Sequence, residues 1–103
     1  MSTITVGINA ETRPLAAADP QWIIQQIDGR RRDGLVVCVR VSISTPDLHM
    51  TLATPTCGSG AGGRPPTPHE RAVFELWRKR GLDEHDYQAA HVVAFLKQLP
   101  HYL

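Results

Sequence analysis

Apolar and polar positions alternate from Thr3 to Asn9, with Ile4, Val6 and Ile8 on one side. A period of two marks a half-buried strand. Residues 11–18 lose the alternation and contain Pro14, so they read as a connector. A helix is expected to follow. Asp19 can cap it, Pro20 suits its first position, and Trp22, Ile23 and Ile27 supply an apolar stripe. Gly29 is the expected stop, and Arg30, Arg31 and Arg32 then read as a solvated exit beside the negative end of the helix dipole.

A longer alternation runs from Gly34 to Ser44. Leu35, Val37, Val39, Val41 and Ile43 share one face, and Val36, Cys38, Arg40 and Ser42 share the other. Thr45-Pro46-Asp47-Leu48 reads as a turn. Proline cannot adopt the positive φ of the tightest hairpin loops, so a longer loop around a type I turn fits better. That register sets Ser44 opposite His49, Ser42 opposite Thr51, Ile43 opposite Met50 and Val41 opposite Leu52. Polar meets polar and apolar meets apolar, which supports the hairpin. Continued further, the ladder would bring Cys38 diagonally near Cys57, but Pro55 argues that regular pairing stops first.

Thr67-Pro68-His69-Glu70 is the most specific local signal. A threonine cap, a proline at the first helical position and a glutamate three residues on form a capping box. Val73, Phe74, Leu76 and Trp77 give that helix its apolar face, and Gly81 ends it. Asp83 or Asp86 is expected to cap a last helix with Ala89, Val92, Val93, Leu96 and Leu99 along one side, ended by Pro100. These elements imply a single α+β domain over residues 1–103. It would hold a three-stranded sheet, built as strand, crossover helix and hairpin, packed against two C-terminal helices. The first two strands would be parallel neighbours. Strand Leu48–Thr54 would offer an edge that a helix, the first strand or a second copy could cover, so a homodimer is one expectation.

Composition narrows the class only slightly. A net charge of +1 with 20% charged residues gives no general pull toward nucleic acid or membrane. No apolar run is long enough to span a bilayer, so no membrane partner is expected. The N-terminus M-S-T-I-T-V-G lacks a basic segment followed by an apolar core, which points to the cytoplasm rather than export. Thiols stay reduced there, and two cysteines are too few for a disulfide scaffold.

Candidate chemistry concentrates in the Gly/Pro-rich loop, residues 54–66. Gly58-Ser59-Gly60-Ala61-Gly62-Gly63-Arg64-Pro65 resembles, in its glycine spacing, the phosphate-binding loop of nucleotide triphosphatases. Arg64 stands where that family has lysine, and Pro65 where it has serine or threonine. Cys57 to Arg64 also resembles the cysteine–arginine loop of protein tyrosine phosphatases, with six intervening residues instead of five. In this second resemblance, backbone N–H groups and an arginine fork would hold an oxyanion and lower a thiol pKa. The stretch covers too little of the chain to assign a family. The candidate binding residues are Cys57, Gly58, Ser59, Gly60, Gly62, Gly63, Arg64, His69 and Arg71, with Cys57 as candidate nucleophile. His69 would serve as base, with Glu70 or Asp47 to orient it. The alternative for the loop is an ordinary connector.

No C-x-x-C or H-x-x-x-H pair is present, so no metal is expected, and no motif implies a cofactor. The two C-terminal helices have the gross form of a helix-turn-helix, but Gln88, His91, Lys97 and Gln98 include only one cation for reading DNA. The leading expectation is a small non-enzymatic binding or regulatory protein, of the size of many bacterial or phage regulators, acting through protein–protein contacts. The glycine-rich loop beside Arg64, Arg71 and Lys79 would be its contact surface. A thiol or anion site at Cys57–Arg64 is the alternative, and nucleic-acid binding through the helix pair is a second one.

Overall fold

The computed structural model describes residues 2–57 and 66–103. It is a mixed α+β fold with a four-stranded antiparallel sheet in the order β2-β1-β3-β4 and three α-helices. The strands are β1 (Thr3–Ile8), β2 (Glu11–Pro14), β3 (Val39–Ser44) and β4 (His49–Ala53). The helices are α1 (Pro20–Arg32), α2 (Pro68–Lys79) and α3 (Ala89–Gln98).

The hairpin forms in the expected register. Ser44 pairs with His49, Ile43 with Met50, Ser42 with Thr51 and Val41 with Leu52. The rest of the sheet departs from the expectation of three strands. The segment read as a connector is a fourth strand, β2, with Ile8 paired to Glu11 and Thr5 to Pro14. Asn9, at φ 55, supplies the left-handed residue of the two-residue loop between these strands. That added reversal changes the direction in which the chain re-enters the sheet. β3 therefore lies antiparallel to β1, with Val6 facing Val41, instead of parallel to it. Glu11-Thr12-Arg13-Pro14 carries no apolar alternation, and Pro14 is tolerated because β2 lies at the margin of the sheet.

All the large apolar residues of the sheet's inner face belong to one core. Val6, Ile8, Val39, Val41, Ile43 and Leu52 meet Trp22, Ile23 and Ile27 from α1, Val73, Leu76 and Trp77 from α2, and Val92, Phe95 and Leu96 from α3. Trp77 and Phe95 meet edge to face, with centroids 5.1 Å apart. Both tryptophans are buried, so they act as core. Phe74, expected on the apolar face of α2, is instead 39% exposed. Arg13 lies over the Trp22 ring at 4.5 Å and Arg31 over Tyr87 at 4.6 Å, so two arginines cover the core with cation–π contacts.

The helix ends follow the cap chemistry. The Thr67 side chain accepts from the Glu70 N–H at 3.1 Å, and the Glu70 carboxylate accepts from the Thr67 N–H at 2.9 Å. Asp19 accepts from the Trp22 N–H at 2.8 Å. The expected stop at Gly29 is overturned. α1 continues to Arg32, and Gly34 takes the left-handed C-cap position at φ 74. The Leu35 N–H reaches the Arg30 carbonyl and the Gly34 N–H the Arg31 carbonyl, a Schellman pair. Arg30–Arg32 therefore form the last turn of the helix. Gly81, at φ 73, ends α2 the same way, with Leu82 bonded back to Trp77.

This contrast is testable. A Cβ at Gly29 would meet nothing within 4 Å, and its backbone is helical. Gly29→Ala is expected to raise stability by about 0.5–1 kcal/mol in guanidinium unfolding. Gly34→Ala and Gly81→Ala, at positive φ, are each expected to lower it by about 1 kcal/mol. A destabilised Gly29→Ala would contradict this placement of the helix end.

Candidate functional site

Helices pack on one face of the sheet, and among the described residues none covers the other. The second face presents Thr3, Thr5 and Gly7 from β1, Thr12 from β2, Arg40, Ser42 and Ser44 from β3, and His49 and Thr51 from β4. Its composition follows directly from the alternation, because the residues between the core positions are hydroxyl-bearing or basic. No carboxylate lies among them. Ser42 and Thr51 hydroxyls meet at 3.4 Å, and Ser44 Oγ meets His49 Nδ1 at 3.2 Å.

One end of this face is closed by an unusual junction. Val37, Cys38 and Val39 precede or begin β3, and their backbone groups are bonded by residues from three other parts of the chain. The Asn9 side chain accepts from the Cys38 N–H at 2.8 Å, and the Asn9 N–H donates to the Cys38 carbonyl at 2.9 Å. Buried Thr54 does the same for Val39. Its hydroxyl accepts from the Val39 N–H at 3.1 Å and its N–H donates to the Val39 carbonyl at 3.0 Å. The Val37 carbonyl accepts from the Thr56 hydroxyl, and it accepts from the Tyr87 hydroxyl at 3.0 Å.

At this junction Cys38 and Cys57 are joined in a disulfide, with Cα atoms 4.7 Å apart. The expectation of two reduced, merely neighbouring thiols is not met. β4 stops at Ala53 and the chain turns through a short 3-10 turn, Pro55–Cys57, which carries Cys57 back to Cys38. The Cα separation lies within the range that a disulfide spans. The Arg40 guanidinium donates to the Cys57 carbonyl at 3.2 Å, so the crosslinked turn also positions the one arginine among the described residues of the bare face.

The residues expected to form the site therefore divide. Cys57 is covalently paired, so it can act as a nucleophile only after reduction. Gly58, Ser59, Gly60, Gly62, Gly63 and Arg64 lie outside the described residues. His69 directs its Nε2 to the Tyr102 carbonyl at the C-terminal turn, and Glu70 serves in the capping box of α2. Arg71 and Lys79 are exposed on α2, on the helical side of the sheet. Among the described residues no group of histidines, cysteines and carboxylates could hold a metal ion. Sequence reasoning missed Asn9, Thr54 and Tyr87. A polar residue at the end of the alternating stretch, followed by Ala10 and Glu11, was the only trace of the Asn9 turn. Thr54 and Tyr87 gave no local signal, because their roles depend on long-range contacts.

Comparison with known proteins finds no family model, no curated protein and no solved structure that matches the chain.

The disulfide closes a loop between residues 19 apart. Loop-closure entropy then gives it about 3 kcal/mol of stabilisation. Reduction, or the double change Cys38→Ser and Cys57→Ser, is expected to lower the unfolding free energy by about that amount in guanidinium titrations. Equal midpoints with and without reductant would contradict the staple.

Proposed function

We propose that the chain is a small, non-enzymatic binding protein that works through protein–protein contacts, and that the bare face of the sheet is its contact surface. The observation that carries this reading is the segregation of the fold. The described helices pack on the inner side, while the outer face exposes Thr3, Ser44 and His49 at one end and Arg40 at the other, with no acidic side chain among the described residues of that face. Such a face suits an acidic segment of a partner, since charge complementarity sets orientation and encounter rate.

Other features support this reading over its alternatives. Two of the three groups expected to assemble a thiol site are engaged elsewhere, His69 with Tyr102 and Glu70 in the helix cap, so even a reduced Cys57 stands without its expected base. On α3, Gln88 and His91 cap the helix start and Gln98 accepts from Arg80 at 2.7 Å. That leaves Lys97 as the main free polar group of the helix that would read bases, which weighs against DNA recognition. Among the described residues no helix is long and apolar enough to cross a membrane. The reading includes a cytoplasmic home, in which the cysteines rest as a dithiol until an oxidant closes them.

The test is site-specific photocrosslinking in cells with the full chain. A photoreactive residue at Ser44, on the bare face, is expected to give discrete protein adducts. One at Glu75, exposed on α2, is expected to give none. Adducts from position 75 alone, or from neither position, would overturn the assignment.

A further inference from the structure

We propose that the bare face carries a specific oxyanion subsite, a recess of about 370 Å³ lined by Thr5, Gly7, Asn9, Thr12, Arg40 and Ser42 and bordered by Cys38. This rests on the reading of that face as a contact surface, and it names the chemistry the face recognises: a carboxylate or phosphoryl group.

The Asn9 side chain points to a ligand first. The bond from the Cys38 N–H fixes which end of its amide is oxygen, because only that end can accept. The amide nitrogen is thereby assigned, and it is buried without a hydrogen-bond partner. Buried donors are almost always satisfied, and this one is closed off beneath the recess that Asn9 lines, so a small turn of the side chain toward an acceptor entering the recess would satisfy it.

Arg40 makes the same demand with a charge. It lines the recess and is exposed, and one NH2 group donates to the Cys57 carbonyl at 3.2 Å. A guanidinium has five N–H donors in a planar fork, so most of the fork remains available. That bond also holds the side chain in place, which reduces the ordering cost of binding. A forked donor matches the paired oxygens of a carboxylate or phosphate. Thr5, Thr12 and Ser42 add hydroxyls that donate readily to an anion. Gly7 keeps the floor low, because a Cβ there would already meet Thr12 Oγ1 at 3.4 Å. Among the described residues no carboxylate lines the recess to repel the ligand.

The experiment is an NMR amide-shift titration of the oxidised full chain with sodium phosphate and, separately, sodium succinate, at constant ionic strength. Saturable shifts confined to the amides of Gly7, Asn9, Thr12, Cys38 and Arg40 are expected with at least one anion. Phosphate alone would identify a phosphoryl ligand, succinate alone a carboxylate, and both the oxyanion itself. Arg40→Gln is expected to weaken binding at least tenfold. Asn9→Asp retains the acceptor for the Cys38 N–H and replaces the unpaired donor with a negative charge. It is expected to keep the folded spectrum and abolish the shifts. No shift with either anion, shifts that survive in both variants, or shifts centred on Arg30–Arg32 would overturn the subsite. Crosslinks from position 44 without anion shifts would sink the subsite and leave the contact surface. Anion shifts without crosslinks would do the reverse.

Discussion

The fold turns on the hydrogen bonds of a three-residue backbone segment, Val37-Cys38-Val39. Buried peptide groups must be paired, and here the partners come from outside the regular ladders. Asn9 closes the hairpin of β1 and β2 onto Cys38, Thr54 ties the end of β4 to Val39, and Tyr87 ties the approach to α3 to Val37. The disulfide adds a covalent bond at the same place. Three structural units separated widely in sequence thus share one anchorage. Losing a partner there would leave a buried donor or acceptor without water, which costs more than an average hydrogen bond contributes.

The same junction connects stability to the proposed site. Asn9 and Arg40 both belong to the recess, and both are held by the crosslinked turn, Asn9 through Cys38 and Arg40 through Cys57. Rigid support keeps donors directed at a ligand position instead of at each other. A disulfide persists in oxidising surroundings and is reduced in a thiol-buffered cytosol. The covalent state of the pair therefore bears on the placement of Arg40 as well as on the unfolding free energy.

Local patterns in the sequence made some of this structure legible. The period of two gave the β3–β4 register residue by residue, since a slip of one would have turned Val41 and Ile43 to water. The capping box at Thr67 and the apolar stripe of Trp22, Ile23 and Ile27 were equally readable, because each is a short-range device. β2 was not, for its four residues are held by pairing with β1 and carry no apolar pattern of their own. Gly29 misled because a glycine marks a helix end only where φ is positive, and that residue is Gly34. The candidate site was displaced for a related reason. Glycines and a cysteine drew attention to the loop after Cys57. The bare sheet face is a property of where the helices pack, and Asn9 and Arg40 become neighbours only through the strand order.

Native-state hydrogen exchange of the oxidised protein tests the role of the junction most directly. The amides of Cys38 and Val39 are bonded to side chains of Asn9 and Thr54 instead of to a neighbouring strand's carbonyls. If the junction is the common anchorage, these amides exchange only on global opening, as slowly as the amides of central β3. Exchange as fast as that of Val36, which lies exposed just before them, would contradict the account.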